Sequence, residues 1–224
     1  MPVILINPNS TAAMTQSALA AARGAAPGTE FDAWTSHAGP PAIQGDADGR
    51  AAVPPLLDLV ARADAQGADA IVILCFDDTG LAEARQSARC PVLGIGQAAY
   101  TMASLMADRF SVVTTLDVSL PVLQANIDAQ GYAERVSSLR ACGVPVLDLE
   151  HHPDAVLDRV ATAIRAAVAV DPGPVILGCS GMVNVAPALR ILTGLTLIDG
   201  VTAAARLVEA QAIFAPRGVA ASMP

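Results

Sequence analysis

The stretch Ala70-Ile71-Val72-Ile73-Leu74-Cys75-Phe76-Asp77-Asp78-Thr79-Gly80-Leu81 joins an apolar strand to the start of a helix, with a cysteine at the junction. An apolar run of this length, rich in β-branched residues, is typical of a parallel strand buried on both faces. A second stretch, Val175-Ile176-Leu177-Gly178-Cys179-Ser180-Gly181-Met182, repeats the arrangement in the second half of the chain. Each half of the sequence therefore contains a predicted strand that ends in a cysteine.

Elsewhere, short β-branched runs alternate with alanine-rich segments. The pattern predicts an α/β protein in which mostly parallel sheets are flanked by helices. The predicted strands are 3–6, 31–35, 70–74, 92–93, 110–114, 175–177 and 195–198. The predicted helices are 12–23, 56–66, 81–88, 97–108, 118–130, 153–170 and 202–214. The segment 38–55 is rich in Gly, Pro and Asp, which predicts a loop that lies over a site.

Composition excludes several classes of function. The chain has 224 residues, a length that fits one large α/β domain or two lobes. Its formal charge is -8, which argues against nucleic acid as a partner, because phosphate binding requires a basic surface. All 13 cationic residues are Arg, and the absence of Lys excludes both a Schiff-base enzyme and a Walker A loop.

The sequence gives no sign of a membrane span or a metal site. The longest strongly apolar stretch, near 70–76, is far shorter than the roughly 20 residues that a span requires. The first strand begins directly after Met1-Pro2, without the basic segment of a signal peptide, so we expect a cytoplasmic protein with reduced thiols. The four cysteines form no C-x-x-C pair or Cys/His cluster, so no metal is expected.

Polar or cysteine residues follow four of the predicted strands. Asn7-Pro8-Asn9-Ser10-Thr11 and Cys75 follow strands of the first half, and Thr114-Thr115 and Cys179 follow strands of the second half. Parallel sheets bind ligands at the carboxyl ends of their strands, so two facing lobes would bring these points to one cleft. A thiol just before a helix N-terminus is expected to have a lowered pKa.

Other residues have simpler interpretations. Cys90 and Cys142 lack the strand-to-helix setting and are predicted to be structural. The pair His151-His152 precedes Pro153, which indicates a solvated helix start. Asp77 and Asp78 are candidate general bases, although capping of the helix that begins near Leu81 is the commoner role for Asp there.

A glycine motif supports an alternative of another class. Gly94-Ile95-Gly96-Gln97-Ala98-Ala99 follows a short strand and opens a predicted helix, and Asp117 lies further along the chain. This arrangement is compatible with a nucleotide-binding or ligand-sensing protein that uses Gly94 and Gly96. The same glycines would also serve a tight crossover between two lobes.

Taken together, the motifs resemble the Asp/Glu/hydantoin racemase superfamily, and within it the hydantoin and allantoin racemase branch. The segments that carry the resemblance are ILINPNST at 4–11, GP at 39–40, IQG at 43–45, CFDDTGL at 75–81, GIGQAA at 94–99, RFSVVTTL at 109–116 and ILGCSGM at 176–182. They extend over most of the chain.

The resemblance implies two pseudo-symmetric α/β lobes with an active site between them, formed by residues 1–96 plus 205–224 and by residues 97–204. It implies a small-molecule substrate, no cofactor and a homo-oligomer. It places the two catalytic thiols at Cys75 and Cys179. The substrate-holding groups that it implies are Asn9, Phe76, Asp77, Thr114, Thr115, Ser180 and Gly181.

Racemisation takes a proton from one face of a carbon and returns one to the other face, so two acid/base groups must flank the substrate. The expected activity is therefore a two-cysteine racemase acting on 5-substituted hydantoins or allantoin. Ser180 and the segment 46–50 depart from the family pattern, which argues against a large aromatic hydantoin as substrate and leaves small or polar ones open. The alternatives within the superfamily are an aspartate/glutamate racemase and a cis-trans isomerase of the maleate isomerase type.

Overall fold

The computed structural model describes residues 2–211 and residue 214, and they form two four-stranded parallel sheets. The first sheet contains β1 (Val3–Asn7), β2 (Phe31–Thr35), β3 (Ala70–Ile73) and β4 (Val92–Gly94) in the order β2-β1-β3-β4. The second contains β5 (Phe110–Thr114), β6 (Val136–Ala141), β7 (Val175–Gly178) and β8 (Leu197–Asp199) in the order β6-β5-β7-β8. The equivalent strand orders confirm the predicted α/β fold with two similar lobes.

Nine α-helices connect the strands within the described residues. They are α1 (Ala12–Ala25), α2 (Asp46–Ala65), α3 (Leu81–Ser87), α4 (Ile95–Met106), α5 (Leu120–Ala129), α6 (Asp148–His151), α7 (Pro153–Val168), α8 (Ala186–Thr193) and α9 (Gly200–Gln211). Short 3-10 turns occur at Asp117–Ser119, Ala133–Arg135 and Ser180–Val183. No helix among these residues is long and apolar enough to cross a membrane.

The two sheets share an inner core. Helices α1, α4 and α9 pack together there, and side chains from both sheets contribute, including Leu5 of β1 and Val112 of β5. Successive strand residues point to opposite faces, so Ile4 and Ile6 face the outer side of the first sheet, against α2. Helices α7 and α8 cover the outer side of the second sheet. The assignment of 1–96 plus 205–224 to one lobe remains a prediction, and part of 205–224 lies outside the described residues.

An aromatic cluster connects the segment after Cys75 to the second sheet. The ring of Tyr100 on α4 lies 5.5 Å from Phe76, 6.4 Å from Phe110 and 5.6 Å from Tyr132, measured between centroids. The edge-to-face packing of Phe76 on Tyr100 is a favourable geometry for aromatic rings. Phe76 therefore anchors the strand end that carries the first thiol.

The prediction of a loop over 38–55 is wrong for its second half, because α2 begins at Asp46. Its buried residues Ala52, Leu56, Val60 and Ala63 recur at helical spacing and pack against the first sheet. This packing outweighs the helix-breaking tendency of Pro54 and Pro55, which lie inside the helix.

The strand β6 was not predicted. It is an edge strand beside β5, and all of its residues are half-buried. Its sequence, Val136-Ser137-Ser138-Leu139-Arg140-Ala141, contains too few β-branched or aromatic residues to be recognised as a strand. The pairing with β5 therefore decides its conformation.

Candidate active site

The carboxyl ends of β1, β3, β5 and β7 meet at one small cavity of about 30 Å³. Both Cys75 and Cys179 line it, one from each sheet. The complete lining is Asn9, Met14, Ile43, Leu74, Cys75, Phe76, Asp77, Thr114, Thr115, Ser119, Val146, Gly178, Cys179 and Ser180. The structure thus brings together every site residue expected from the sequence except Gly181, which lies directly behind Ser180 and packs against Leu149 and Met14.

Cys75 is buried at the end of the first sheet and accepts two hydrogen bonds. The backbone N–H of Asp77 and the hydroxyl of Thr79 both donate to its sulfur, the latter at 3.3 Å. Burial nevertheless raises the pKa of the Cys75 thiol far above its usual range, and the negative charge of Asp77 raises it further.

Cys179 precedes the 3-10 turn Ser180–Val183 at the end of the second sheet. The backbone N–H groups of Gly181 and Met182 donate to its sulfur, but burial is the larger effect and raises its pKa to about 12. The expectation of lowered thiol pKa values is therefore wrong for this state of the site. Desolvation of a thiolate between two closed lobes exceeds the stabilisation by the N–H groups that follow each strand.

Asp77 lines the cavity next to both thiols. Burial is the main cause that raises the pKa of its carboxyl to about 7, and the nearby charge of Asp78 adds to the shift. Nδ2 of Asn126, on α5 of the second lobe, donates to the backbone carbonyl of Asp77 at 2.6 Å. The second lobe therefore contacts the loop that carries the first thiol directly.

Asp78 does not cap the helix near Leu81 as expected. Its carboxylate accepts hydrogen bonds from the backbone N–H groups of Gly96 at 3.0 Å and Gln97 at 2.8 Å, so it caps α4 instead. Nε2 of Gln130 donates to the same carboxylate at 3.0 Å. Burial raises the pKa of Asp78 to about 6.

This contact also accounts for the glycine motif. A Cβ atom at Gly94 would overlap the Asp78 carboxylate, and one at Gly96 would overlap the carbonyl oxygen of Phe76. The N-terminus of α4, where a dinucleotide pyrophosphate would bind, is thus filled by a carboxylate of the same chain. The nucleotide-binding alternative fails for this reason.

The polar groups of the cavity differ in what they offer a ligand. Oδ1 of Asn9 accepts hydrogen bonds from Asn7 and Thr11, while its Nδ2 lies 3.8 Å from the sulfur of Met14, a weak acceptor at the cavity wall. The hydroxyl of Thr114 donates to the carbonyl of Gly178 at 2.9 Å, so its proton is already in use. Asn9 is therefore the better side-chain donor for a bound ligand.

The remaining candidate residues, two histidines and Cys142, do not line the cavity that contains Cys75 and Cys179. His151 and His152 are exposed, and Pro153 occupies the first turn of α7, as expected. Cys142 donates a weak hydrogen bond to the carbonyl of Thr115 at 3.7 Å, behind the cavity wall. Across residues 2–211 and 214, no group of three or more His, Cys, Asp or Glu side chains is arranged to hold a metal ion.

Comparison with known proteins agrees with this geometry. The family model described as Asp/Glu/Hydantoin racemase matches residues 3–208. The chain belongs to the Asp/Glu/hydantoin racemase family. It is 41% identical to a hydantoin racemase of Rhizobium meliloti over 212 residues, which is 94% of this chain and 88% of that protein.

Two solved structures of this racemase family are also similar. An allantoin racemase from Klebsiella pneumoniae superposes with a TM-score of 0.90 and 38% identity, covering 96% of this chain and 88% of that one. An allantoin racemase from Pseudomonas fluorescens gives a TM-score of 0.90 and 31% identity, covering 96% and 92% of the two chains. The fold with two similar sheets is therefore that of the racemase family.

Several residues at the candidate site were not identified from the sequence. Thr79 contacts the sulfur of Cys75, and Met14, Ile43 and Val146 form the apolar side of the cavity. Ile43 comes from the loop at 38–45, which lies over the site as expected, and the side-chain carbonyl of Gln44 accepts a hydrogen bond from the N–H of Val146 in the second lobe. A possible signal for Thr79 was its place four residues after Cys75, in the turn before α3.

Proposed function

We propose that this protein is a cofactor-independent racemase of 5-substituted hydantoins or allantoin. The observation that carries the proposal is the position of Cys75 and Cys179, which line one cavity from opposite sheets. Racemisation needs two acid/base groups on opposite faces of one carbon, and this arrangement supplies them. The names of the similar proteins, hydantoin racemase and allantoin racemase, support the same substrates.

In the proposed reaction, one cysteine removes a proton from the substrate and the other cysteine returns one. The thiolate of one cysteine takes the proton from C5 of the ring, and the electron pair moves into the adjacent carbonyl to give an enolate. The thiol of the other cysteine then donates its proton to the opposite face of C5. One cysteine is thiolate and the other thiol at each end of the reaction, so their titrations belong to the pair.

The enolate oxygen requires hydrogen-bond donors that strengthen as charge develops. Nδ2 of Asn9 is the donor best placed for this role, because the backbone N–H groups of Asp77, Gly181 and Met182 already donate to the cysteine sulfurs. Loss of one such donor typically costs about 3 kcal/mol of transition-state stabilisation. Thr114 contributes by holding the carbonyl of Gly178, next to Cys179.

The charges around the cavity favour a neutral ring over an amino dicarboxylate. Among the described residues that line it there is no Arg or His, while Asp77 supplies a carboxyl group. The side-chain carboxylate of aspartate or glutamate would be repelled by the carboxylate of Asp77, and no cationic side chain of the lining would offset this repulsion. A hydantoin ring offers two N–H donors and two carbonyl acceptors, which match Asp77 and Asn9.

Entry of the substrate requires the cavity to open. Its volume of about 30 Å³ is close to that of one water molecule, whereas ligand pockets usually measure roughly 300 Å³ or more. The loop at 38–45 contacts the second lobe through Gln44, and Thr11 donates to the carbonyl of Pro41. Release of this loop, which contributes Ile43 to the cavity, is the proposed opening step.

Polarimetry tests the proposed function. Purified protein is incubated with single enantiomers of 5-methylhydantoin, 5-benzylhydantoin, allantoin and aspartate, and optical rotation is followed against a blank without protein. We expect loss of rotation with a hydantoin or allantoin and none with aspartate. Racemisation of aspartate alone, or of none of the four compounds, would refute the proposal.

A further inference from the structure

The turn after Cys75 holds a hydroxyl group against the sulfur atom. Oγ1 of Thr79 donates to Sγ of Cys75 at 3.3 Å, and both residues are buried. Within the described part of the chain, no other side-chain hydroxyl donates to a cysteine sulfur. The two thiols therefore differ, because the donors at Cys179 are the backbone N–H groups of Gly181 and Met182.

Asp78 fixes the conformation of this turn. Its backbone φ of +48° lies in the left-handed region, which is unusual for a residue other than glycine and is found at functional sites. The hydrogen bonds from Gly96, Gln97 and Gln130 to its carboxylate hold it there. Thr79 follows immediately, so its hydroxyl is held in place before any substrate arrives.

We propose that Thr79 is a further catalytic residue, whose hydroxyl donates to the Cys75 sulfur and stabilises the thiolate that takes the substrate proton. The inference rests on the proposed racemase function. Thr79 keeps its own proton throughout: the proton from C5 moves to the sulfur, and the Thr79 hydroxyl remains the donor of the hydrogen bond.

The charges around Cys75 explain why this donor matters. Asp77 on the same loop and Cys179 from the second lobe both disfavour a negative charge on the Cys75 sulfur, and no Arg or His lines the described cavity. Burial opposes the thiolate most strongly. The hydroxyl of Thr79 and the backbone N–H of Asp77 are the groups that favour it.

The test removes the hydroxyl and keeps the shape of the side chain. Thr79→Val is compared with Thr79→Ser, which restores the hydroxyl, and with Thr162→Val, whose hydroxyl donates to the carbonyl of Asp158 on the surface of α7. The rate of iodoacetamide alkylation is measured at pH 9 for each cysteine by peptide mass spectrometry. Cys179 serves as the internal reference, because both sulfurs lie in the same cavity and require the same opening.

We expect the Cys75/Cys179 alkylation ratio to fall about ten-fold in Thr79→Val, since one hydrogen bond to a charged group shifts a thiol pKa by about one unit. Thr79→Ser should restore the ratio, and Thr162→Val should leave it unchanged. An unchanged ratio in a folded Thr79→Val variant would overturn the inference, as would failure of Thr79→Ser to restore it.

Turnover separates this inference from the proposed function. We expect kcat of Thr79→Val to fall about ten-fold with little change in KM, and the rise of kcat with pH to move up by about one unit. If the wild-type protein racemises its substrate but Thr79→Val does so at the full rate, the role of Thr79 fails and the racemase proposal stands. If the ratio falls but the wild-type protein shows no racemisation, both the proposed function and the catalytic role fail.

Discussion

Asn126 and Asp77 connect the two lobes at the edge of the active site: Nδ2 of Asn126 donates to the backbone carbonyl of Asp77 at 2.6 Å. Asn126 lies on α5, which follows the second sheet's first strand, whereas Asp77 follows Cys75 in the first sheet. Gln130, which directly follows the last residue of α5, donates to Asp78. Helix α5 of one lobe thus holds the loop that carries the thiol of the other.

Substitution of Asn126 should therefore disturb alignment of the two thiols. We expect Asn126→Ala to lower kcat/KM by about ten- to a hundred-fold, because small displacements of catalytic groups are costly, and to lower the free energy of unfolding by about 1 kcal/mol. Steady-state kinetics and urea unfolding measure the two effects. Gln124→Ala is the matched control, because Gln124 is exposed on the same helix. Within the described residues, its side chain forms a hydrogen bond only to Asp128. Equal kinetics in the two variants would contradict this prediction.

Gly94→Ala should destabilise the protein, because its Cβ would overlap the carboxylate of Asp78 and displace it from the N-terminus of α4. We expect a loss of about 1–3 kcal/mol in the free energy of unfolding, measured by urea denaturation. Gly24→Ala is the control: its Cβ would meet nothing within 4 Å, and Ala in a helix is more stable than Gly by about 0.5–1 kcal/mol. If Gly94→Ala leaves the free energy of unfolding unchanged, the position of the Asp78 carboxylate does not depend on the absence of a side chain at residue 94.

Stability should depend on pH through Asp77. Its carboxyl has a pKa of about 7 in the folded protein. An unperturbed Asp has a pKa of about 3.9, so between these values the folded state binds more protons than the unfolded state. The contribution of this group to the free energy of unfolding therefore decreases as pH rises from about 4 to 7, with a limiting slope of about 1.4 kcal/mol per pH unit.

The comparison of wild type with Asp77→Asn isolates this contribution. Urea unfolding is measured for both proteins at intervals from pH 4 to pH 8, where the neutral amide cannot titrate. We expect the variant to gain stability relative to wild type as pH rises, because the wild-type protein alone pays the desolvation of a buried charge. A constant difference over this pH range would show that Asp77 titrates normally.

The strands that end in Cys75 and Cys179 were predictable because buried parallel strands are continuous apolar runs, and their ends meet at one edge of a sheet. The first turns of α2 were not, because Gly49, Pro54 and Pro55 are typical of a loop. Packing of Ala52 and Leu56 against the sheet decides that segment, and local sequence does not contain this information.

The electrostatics of the site were the least predictable part. The segment after Cys75 correctly indicated N–H donors, but the pKa of the thiol depends on burial by residues from the other lobe. The partner of Asp78 is likewise distant in sequence: its carboxylate caps α4, although α3 begins three residues after it. Long-range contacts set both outcomes.

The proposed racemisation requires both Cys75 and Cys179 as acid/base groups, and serine variants measured in D₂O test this requirement most directly. Optical rotation and deuterium incorporation at C5 are followed for each enantiomer with Cys75→Ser, Cys179→Ser and the controls Cys90→Ser and Cys142→Ser. We expect both active-site variants to lose racemisation, with exchange retained from at most one enantiomer in each, because serine is too weak an acid to replace the thiol. The two controls should turn over nearly normally. Full racemisation by either Cys75→Ser or Cys179→Ser would contradict the account.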